Sequence, residues 1–212
     1  VTAGVTLFGA RYSVYVRAVL MALETKGVPY RLEPVDIFTQ DEAVQAYRKL
    51  HPIGRIPAFR HGDFTLYETA AINRYIDEAF AGPSLQPATA QDRARMVQIM
   101  SMTDSYGYRP LVWDIYVERV GNPAEGKPSD EALIASALPK ARLYLQALSD
   151  LMGRKVFLAD ESPTLADFHV APVFCYFLEA EEGRRMMPEF PRLKDWWTRI
   201  SATLAWARAA GP

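Results

Sequence analysis

Glu68 and Thr69 open a helical pattern, because Ile72, Tyr75, Ile76 and Ala79 follow at i, i+3, i+4 and i+7. Thr69 therefore lies at a helix N-terminus, whose unpaired N–H groups and positive dipole end attract a carboxylate. By itself the pattern is also served by a threonine that only caps its helix. Ser13 has a similar position, at the turn from an apolar strand into a helix, where a serine in an anonymous chain caps the helix. Tyr12 and Tyr15 are rival hydroxyls beside it, with packing as their plain role. Between these two places lies Ile56-Pro57. Pro57 falls inside the strand-like run 56–59, although proline cannot donate to a ladder. A cis Ile56–Pro57 bond would account for it and turn the Ile56 backbone towards a ligand. Cys175, mid-helix between Phe174 and Tyr176, reads as a buried small hydrophobe. No cluster has metal-ligand spacing.

The elements that must hold these residues follow from periodicity. Residues 5–8 read as a buried strand and 9–13 as a loop. The next helix carries Val16, Val19, Leu20 and Leu23 on one face and stops at Gly27. Residues 30–35 form a second strand, which Pro34 places near an edge. Thr39-x-x-Glu42 is a capping box for a helix bearing Ala43, Ala46, Tyr47 and Leu50. Residues 56–59 and 64–67, joined by the turn residues His61-Gly62-Asp63, make a hairpin. The order β-α-β-α-β-β-α is that of a thioredoxin-like α+β domain, expected over residues 1–80. A Gly- and Pro-containing linker follows at 81–88, then an all-α helical bundle over 89–212. In it we expect a long helix over about 89–119, kinked near 107–110. A second starts at Ser129 and is bent or broken by Pro139. A third is opened by Thr164-x-x-Asp167, and Pro191 takes position N1 of a final helix pair. Leu193, Trp196, Trp197 and Ile200 make one apolar face of that pair.

Half of the 212 residues are apolar, enough for a substantial core, and a formal net charge of −1 argues against a nucleic-acid footprint. No apolar run reaches the length of a membrane span, and no signal-peptide pattern is present. With one cysteine no intrachain disulfide can form, which fits a reducing cytoplasm.

The stretch 51–76, His-Pro-Ile-Gly-Arg-Ile-Pro, a hairpin, then Glu-Thr-Ala-Ala-Ile, resembles the glutathione-binding half of cytosolic glutathione transferases. That family's pattern is Asn-Pro-x-Gly-x-Val-Pro, a hairpin, and Glu-Ser-x-Ala-Ile. Phe-Gly-x-x-x-Ser-x-x-x-Arg, from Phe8 to Arg17, resembles the serine-type register, and the whole is similar to phi and theta-like members of bacterial style. The resemblance covers nearly the whole chain. It implies a dimeric enzyme that conjugates glutathione to small hydrophobic electrophiles or reduces hydroperoxides, with glutathione as co-substrate and no tightly bound cofactor. Two rivals share the fold: a glutathione-dependent isomerase, dehalogenase or ether-cleaving enzyme, and a non-catalytic binding module.

The chemistry this implies is electrostatic. A free thiol has a pKa near ~8.5, so little of it is thiolate at neutral pH. Lowering that by ~2 units, equivalent to ~2.7 kcal/mol, makes the nucleophile the major form. The resemblance assigns Ser13 the hydroxyl aimed at the sulfur. It assigns Glu68 to the γ-glutamyl ammonium, Thr69 to the carboxylate beside it, and Ile56, before Pro57, to the cysteinyl backbone as an added strand would pair. The family's glycyl-site His-Lys is replaced here by Glu42-Ala43, and Arg55 reads either as the compensating cation or as a plain surface arginine. His51, in the usual Asn position, reads as structural. Asp104 falls where a partner chain's acid reaches the ammonium. Arg11, Tyr12, Tyr106, Tyr108 and Trp113 are assigned to the electrophile, with Tyr116 on the same long helix. Ile53 replaces an aromatic wedge at the dimer contact, which leaves Arg74, Arg93 and Met96 to carry more of that interface.

Overall fold

Strand β1 (Val5–Phe8) alternates buried and half-buried side chains, with Val5 and Leu7 facing the core. The computed structural model of the chain describes residues 4–39 and 42–211, apart from the side chains of residues 42 and 43. The chain divides into two compact units, Val1–Leu85 with Thr203–Pro212, and Gln86–Ala202. The last ten residues thus group with the first unit, not with the helical segment 89–212 in which the sequence reading put them.

In the first unit β1 pairs in parallel with β2 (Tyr30–Glu33) and antiparallel with β3 (Ala58–His61), which pairs antiparallel with β4 (Phe64–Tyr67). The sheet order is β2-β1-β3-β4, so β2 is an edge, as Pro34 suggested, although the strand ends at Glu33. Helix α1 (Val14–Lys26) buries Val16, Val19, Leu20 and Leu23 completely and ends on Gly27, whose φ of 65° and ψ of 28° suit glycine. Helix α2 (Glu42–Tyr47) follows. Of the Thr39-x-x-Glu42 box, residues 40 and 41 and the Glu42 side chain lie outside the described residues. Helix α3 is Thr69–Ala79. Lys26, at the end of α1, donates to the Asp77 carboxylate at 3.1 Å and to the carbonyls of Asp77 and Pro83, with both side chains almost wholly buried. Asp77 in turn accepts from the Leu85 N–H, so one ion pair ties α1, α3 and the chain leaving the domain.

In the second unit α4 (Ala90–Met102) is capped by Thr89. The chain then continues without a break through Thr103–Gly107 and Arg109–Gly121 in the wider π geometry, in which Tyr108 N–H bonds to the Thr103 carbonyl five residues back. The expected kink near 107–110 is therefore a change of winding. Gly107 is required here, because a Cβ would lie 2.6 Å from the Tyr144 ring. Helix α5 (Glu131–Met152) is capped by Asp130 rather than Ser129 and runs on through Pro139. The proline removes one hydrogen bond, and buried Ala137, Ala141, Leu145 and Leu148 hold the helix on either side. Helix α6 (Leu165–Glu179) opens on the predicted Thr164 and Asp167 box. Asp167, fully buried, accepts from the Thr164 N–H and hydroxyl, the Leu158 N–H and the Trp196 indole, all within 2.8 Å. Burial pushes its carboxyl up, and the four donors pull it back. Helices α7 (Glu181–Met186) and α8 (Pro191–Ser201) complete this unit, with Pro191 at N1 and Leu193, Trp196 and Ile200 fully buried. Trp197 is half-buried. Helix α9 (Leu204–Ala210) packs on α1 in the first unit.

Candidate functional site

Ser13 is the N-cap of a 13-residue helix and is half-buried. Its Oγ accepts from the Val16 N–H at 3.4 Å. Capping uses a lone pair and leaves the hydroxyl hydrogen to donate elsewhere, so the capping and functional readings of this serine are compatible. Its neighbours are turned to other work. The Tyr12 hydroxyl donates to Asp36 at 3.3 Å, and its ring lies 5.9 Å from that of Phe38. Arg11 donates to the Arg208 carbonyl at the end of α9, while its own carbonyl takes the Arg17 Nε–H. Tyr15 is half-buried in the first turn of α1.

The Ile56–Pro57 bond is cis, and β3 begins only at Ala58, so Pro57 lies before the strand and costs the ladder nothing. Ile56 and Pro57 are buried, and Arg55 is exposed with its carbonyl held by the Tyr47 hydroxyl at 2.6 Å. At the other end of the hairpin Glu68 has φ 73° and ψ 115°, a positive φ that is uncommon for any non-glycine residue. Glu68 is the N-cap of α3, is exposed, and makes no side-chain cap. Thr69 is the first helical residue and is buried, so it does not serve as the cap. Strained backbone of this kind costs ~1–3 kcal/mol and concentrates at functional sites. Arg11, Tyr12, Ser13, Arg55, Ile56, Pro57, Glu68 and Thr69 all belong to the first unit.

The other candidates lie in the second unit. Asp104 takes the Nε2 of buried His169 at 2.7 Å. Tyr106 is 69% exposed, Trp113 is exposed and Tyr108 half-buried, all in the π-wound stretch. Tyr116 is separated from them by its partner: its ring stacks 4.4 Å from that of Tyr176 on α6. Cys175 is half-buried rather than buried, with Sγ 3.8 Å from Glu179. Met96 is only 2% exposed and belongs to the core of this unit, which removes it from the residues available to a partner chain. A surface groove of about 720 Å³ between the start of α4 and the end of α5 contains Arg95, Arg154 and the Lys155–Asp92 ion pair, and none of the candidate site residues lines it. Among the described residues no group of three or more His, Cys, Asp or Glu side chains could hold a metal ion. Among them, no helix is long and apolar enough to cross a membrane.

Sequence reasoning missed Asp36 and Phe38, which flank Tyr12. Both lie in a loop, where there is no periodicity to betray a side chain's neighbours.

Residues 7–84 match the glutathione S-transferase N-terminal domain and residues 100–203 the C-terminal domain. A glutathione S-transferase of Hyoscyamus muticus is 30% identical over 209 residues, covering 97% of each chain. The solved structure of glutathione S-transferase III in its apo form superposes with a TM-score of 0.84 at 28% identity, over 98% of this chain and 95% of that one. The theta-class enzyme of the citrus canker pathogen Xanthomonas axonopodis pv. citri, solved with glutathione bound, gives 0.83 at 28% identity over 99% and 98%. A thioredoxin-like sheet domain and a helical domain, with these matches, define the class. The chain belongs to the cytosolic glutathione S-transferase family, and its curated relatives include plant phi-class proteins.

Proposed function

We infer that this chain is a serine-type glutathione transferase of the cytoplasm, which binds glutathione as co-substrate and delivers its thiolate to small hydrophobic electrophiles. The observation that carries the reading is the turn into α3, where Glu68 is held at a positive φ beside buried Thr69. Glu68 directly precedes the first residue of an 11-residue helix, so a carboxylate and unpaired first-turn N–H groups are available at the same end of α3. A γ-glutamyl group carries an ammonium and a carboxylate side by side, and matches this pair in charge and in hydrogen-bonding type. Ile56 offers backbone N–H and C=O to the cysteinyl residue, and Arg55 takes the glycyl carboxylate. Ser13 donates to the sulfur from the N-terminus of α1, where hydroxyl and helix dipole both favour a negative charge. Arg11 and Tyr12 are the first unit's candidates for contact with the electrophile, and Tyr106, Tyr108 and Trp113 the second unit's. Asp104 of a second copy completes the ammonium site.

Glu68→Ala tests the carrying observation. A charge-assisted hydrogen bond contributes ~1.5–3 kcal/mol, so calorimetric affinity for glutathione is expected to fall by an order of magnitude or more. Unchanged affinity in a folded variant would refute the placement.

The reading also requires a homodimer. Ile53 is 69% exposed in the loop before Pro57, as an interface residue can be in the lone chain. Arg74 is exposed on α3 with its Nε on Glu78. Arg93 instead binds the Pro87 and Ala88 carbonyls. Light scattering at micromolar concentration should give twice the 23.9 kDa chain mass, and a monomer mass would rule the dimer out.

A further inference from the structure

His51 is buried to 2% exposure, its ring 4.7 Å from Tyr67 and 6.3 Å from Tyr47. Its backbone holds the loop that carries the site: the His51 N–H bonds to the Tyr47 carbonyl, and its carbonyl takes the Gly54 N–H at 2.8 Å. The ring's Nδ1 has no hydrogen-bond partner among the described residues. Most buried polar atoms are satisfied, so an unsatisfied one in the floor of a binding turn calls for an explanation. Tyr67, on which the ring lies, directly precedes the strained Glu68. Among the described residues, the charged groups acting on the ring are Glu68, from the turn into α3, and Arg55, from the loop before β3. The titratable side chains in ring contact with it, among the described residues, are the phenols of Tyr47 on α2 and Tyr67 on β4. These are the two charges assigned above to the two ends of glutathione.

We propose that His51 is a positioning residue that couples glutathione binding to a proton, with the neutral ring supporting the Tyr67–Glu68 turn and the protonated ring opposing it. The inference rests on the placement of the γ-glutamyl end at Glu68. The coupling follows from charge. Protonating the ring creates a cation in a residue that is only 2% exposed. In the free protein the Glu68 carboxylate partly offsets that cost. When the ligand's ammonium neutralises Glu68, the offset disappears, and the glycyl carboxylate's neutralisation of Arg55, the smaller of the two influences, reverses only part of this. Bound ligand therefore disfavours the imidazolium, and by reciprocity the imidazolium disfavours the ligand. The folded state already acts in the same direction. Burial, the largest influence, lowers the His51 pKa from its ordinary value, Glu68 and a hydrogen bond to the residue's own backbone raise it, and Arg55 lowers it. The stability contribution of the neutral ring is thus complete above about pH 6.5 and lost as pH falls through the lowered value.

S-methylglutathione, whose sulfur cannot ionise, separates this effect from thiolate formation. Its dissociation constant is measured by calorimetry from about pH 5 to about pH 8 for the wild type and His51→Asn, in buffers of different ionisation enthalpy. In the wild type we expect affinity to fall roughly fivefold or more towards the acid end, with proton release on binding. In His51→Asn both the pH dependence and the proton release should vanish. Equal pH dependence in the two proteins, or none in the wild type, overturns the coupling and leaves the binding site standing. Failure of the wild type to bind S-methylglutathione at neutral pH overturns the site, and the coupling with it. If His51→Asn does not fold, the wild type still decides. The chain has three histidines, so the His51 ring can be titrated by NMR with and without S-methylglutathione. Its pKa should drop on binding, and an unchanged or raised value refutes the proposal.

Discussion

Replacing Ser13 by alanine should lower turnover at neutral pH ~10–100-fold while glutathione affinity barely changes, because the lost interaction acts on the thiolate alone. The hydroxyl is at the N-cap of α1, where the first-turn N–H groups make the potential positive. A donor there stabilises a charged sulfur more than a neutral one. Its removal is expected to raise the bound thiol's pKa by ~1–2 units, equivalent to ~1.4–2.7 kcal/mol. The ultraviolet absorbance of the bound thiolate, followed against pH, reads this directly. Tyr12→Phe is the control. The Tyr12 hydroxyl is directed to Asp36 and its ring lies against Phe38, so its loss should leave the titration where it was. If Tyr12→Phe moves the curve and Ser13→Ala does not, the tyrosine is the donor and the assignment to Ser13 is wrong.

The largest effect on stability is expected from Asp167→Ala. The substitution leaves the Thr164 N–H, the Leu158 N–H and the Trp196 indole N–H buried without their acceptor. Each unsatisfied donor costs ~1–3 kcal/mol, and partial relaxation brings the expected total to ~3–5 kcal/mol. For a chain of this size that lowers Tm by ~6–20 °C. Asp167→Asn keeps the shape and one acceptor oxygen, so its loss should be smaller. Thermal unfolding followed by circular dichroism ranks the three proteins. An alanine variant within ~2 °C of the wild type would show that the network contributes little.

Much of this protein was legible in the sequence because the signals were local. The period of α1 and its Gly27 stop, the hairpin, the start of α3 and the Thr164–Asp167 box each depend on residues within a few positions of one another. Ser13, Ile56-Pro57 and Glu68-Thr69 could be marked because they occupy the ends of such elements. Pro139 misled for the same reason: a local rule foresaw a break, and long-range burial on both sides of it held the helix together. The winding of the chain after α4 was hidden, because Gly107 answers to Tyr144, far along the sequence. So was the return of α9 to α1, which only packing decides. The positive φ of Glu68, the turning of Tyr12 towards Asp36, and a buried His51 ring against Tyr67 were invisible for a common reason. Residue types and spacing determine which groups are available at the ends of elements. Which way each one points, and which charge it feels, depends on neighbours that only the tertiary fold brings together.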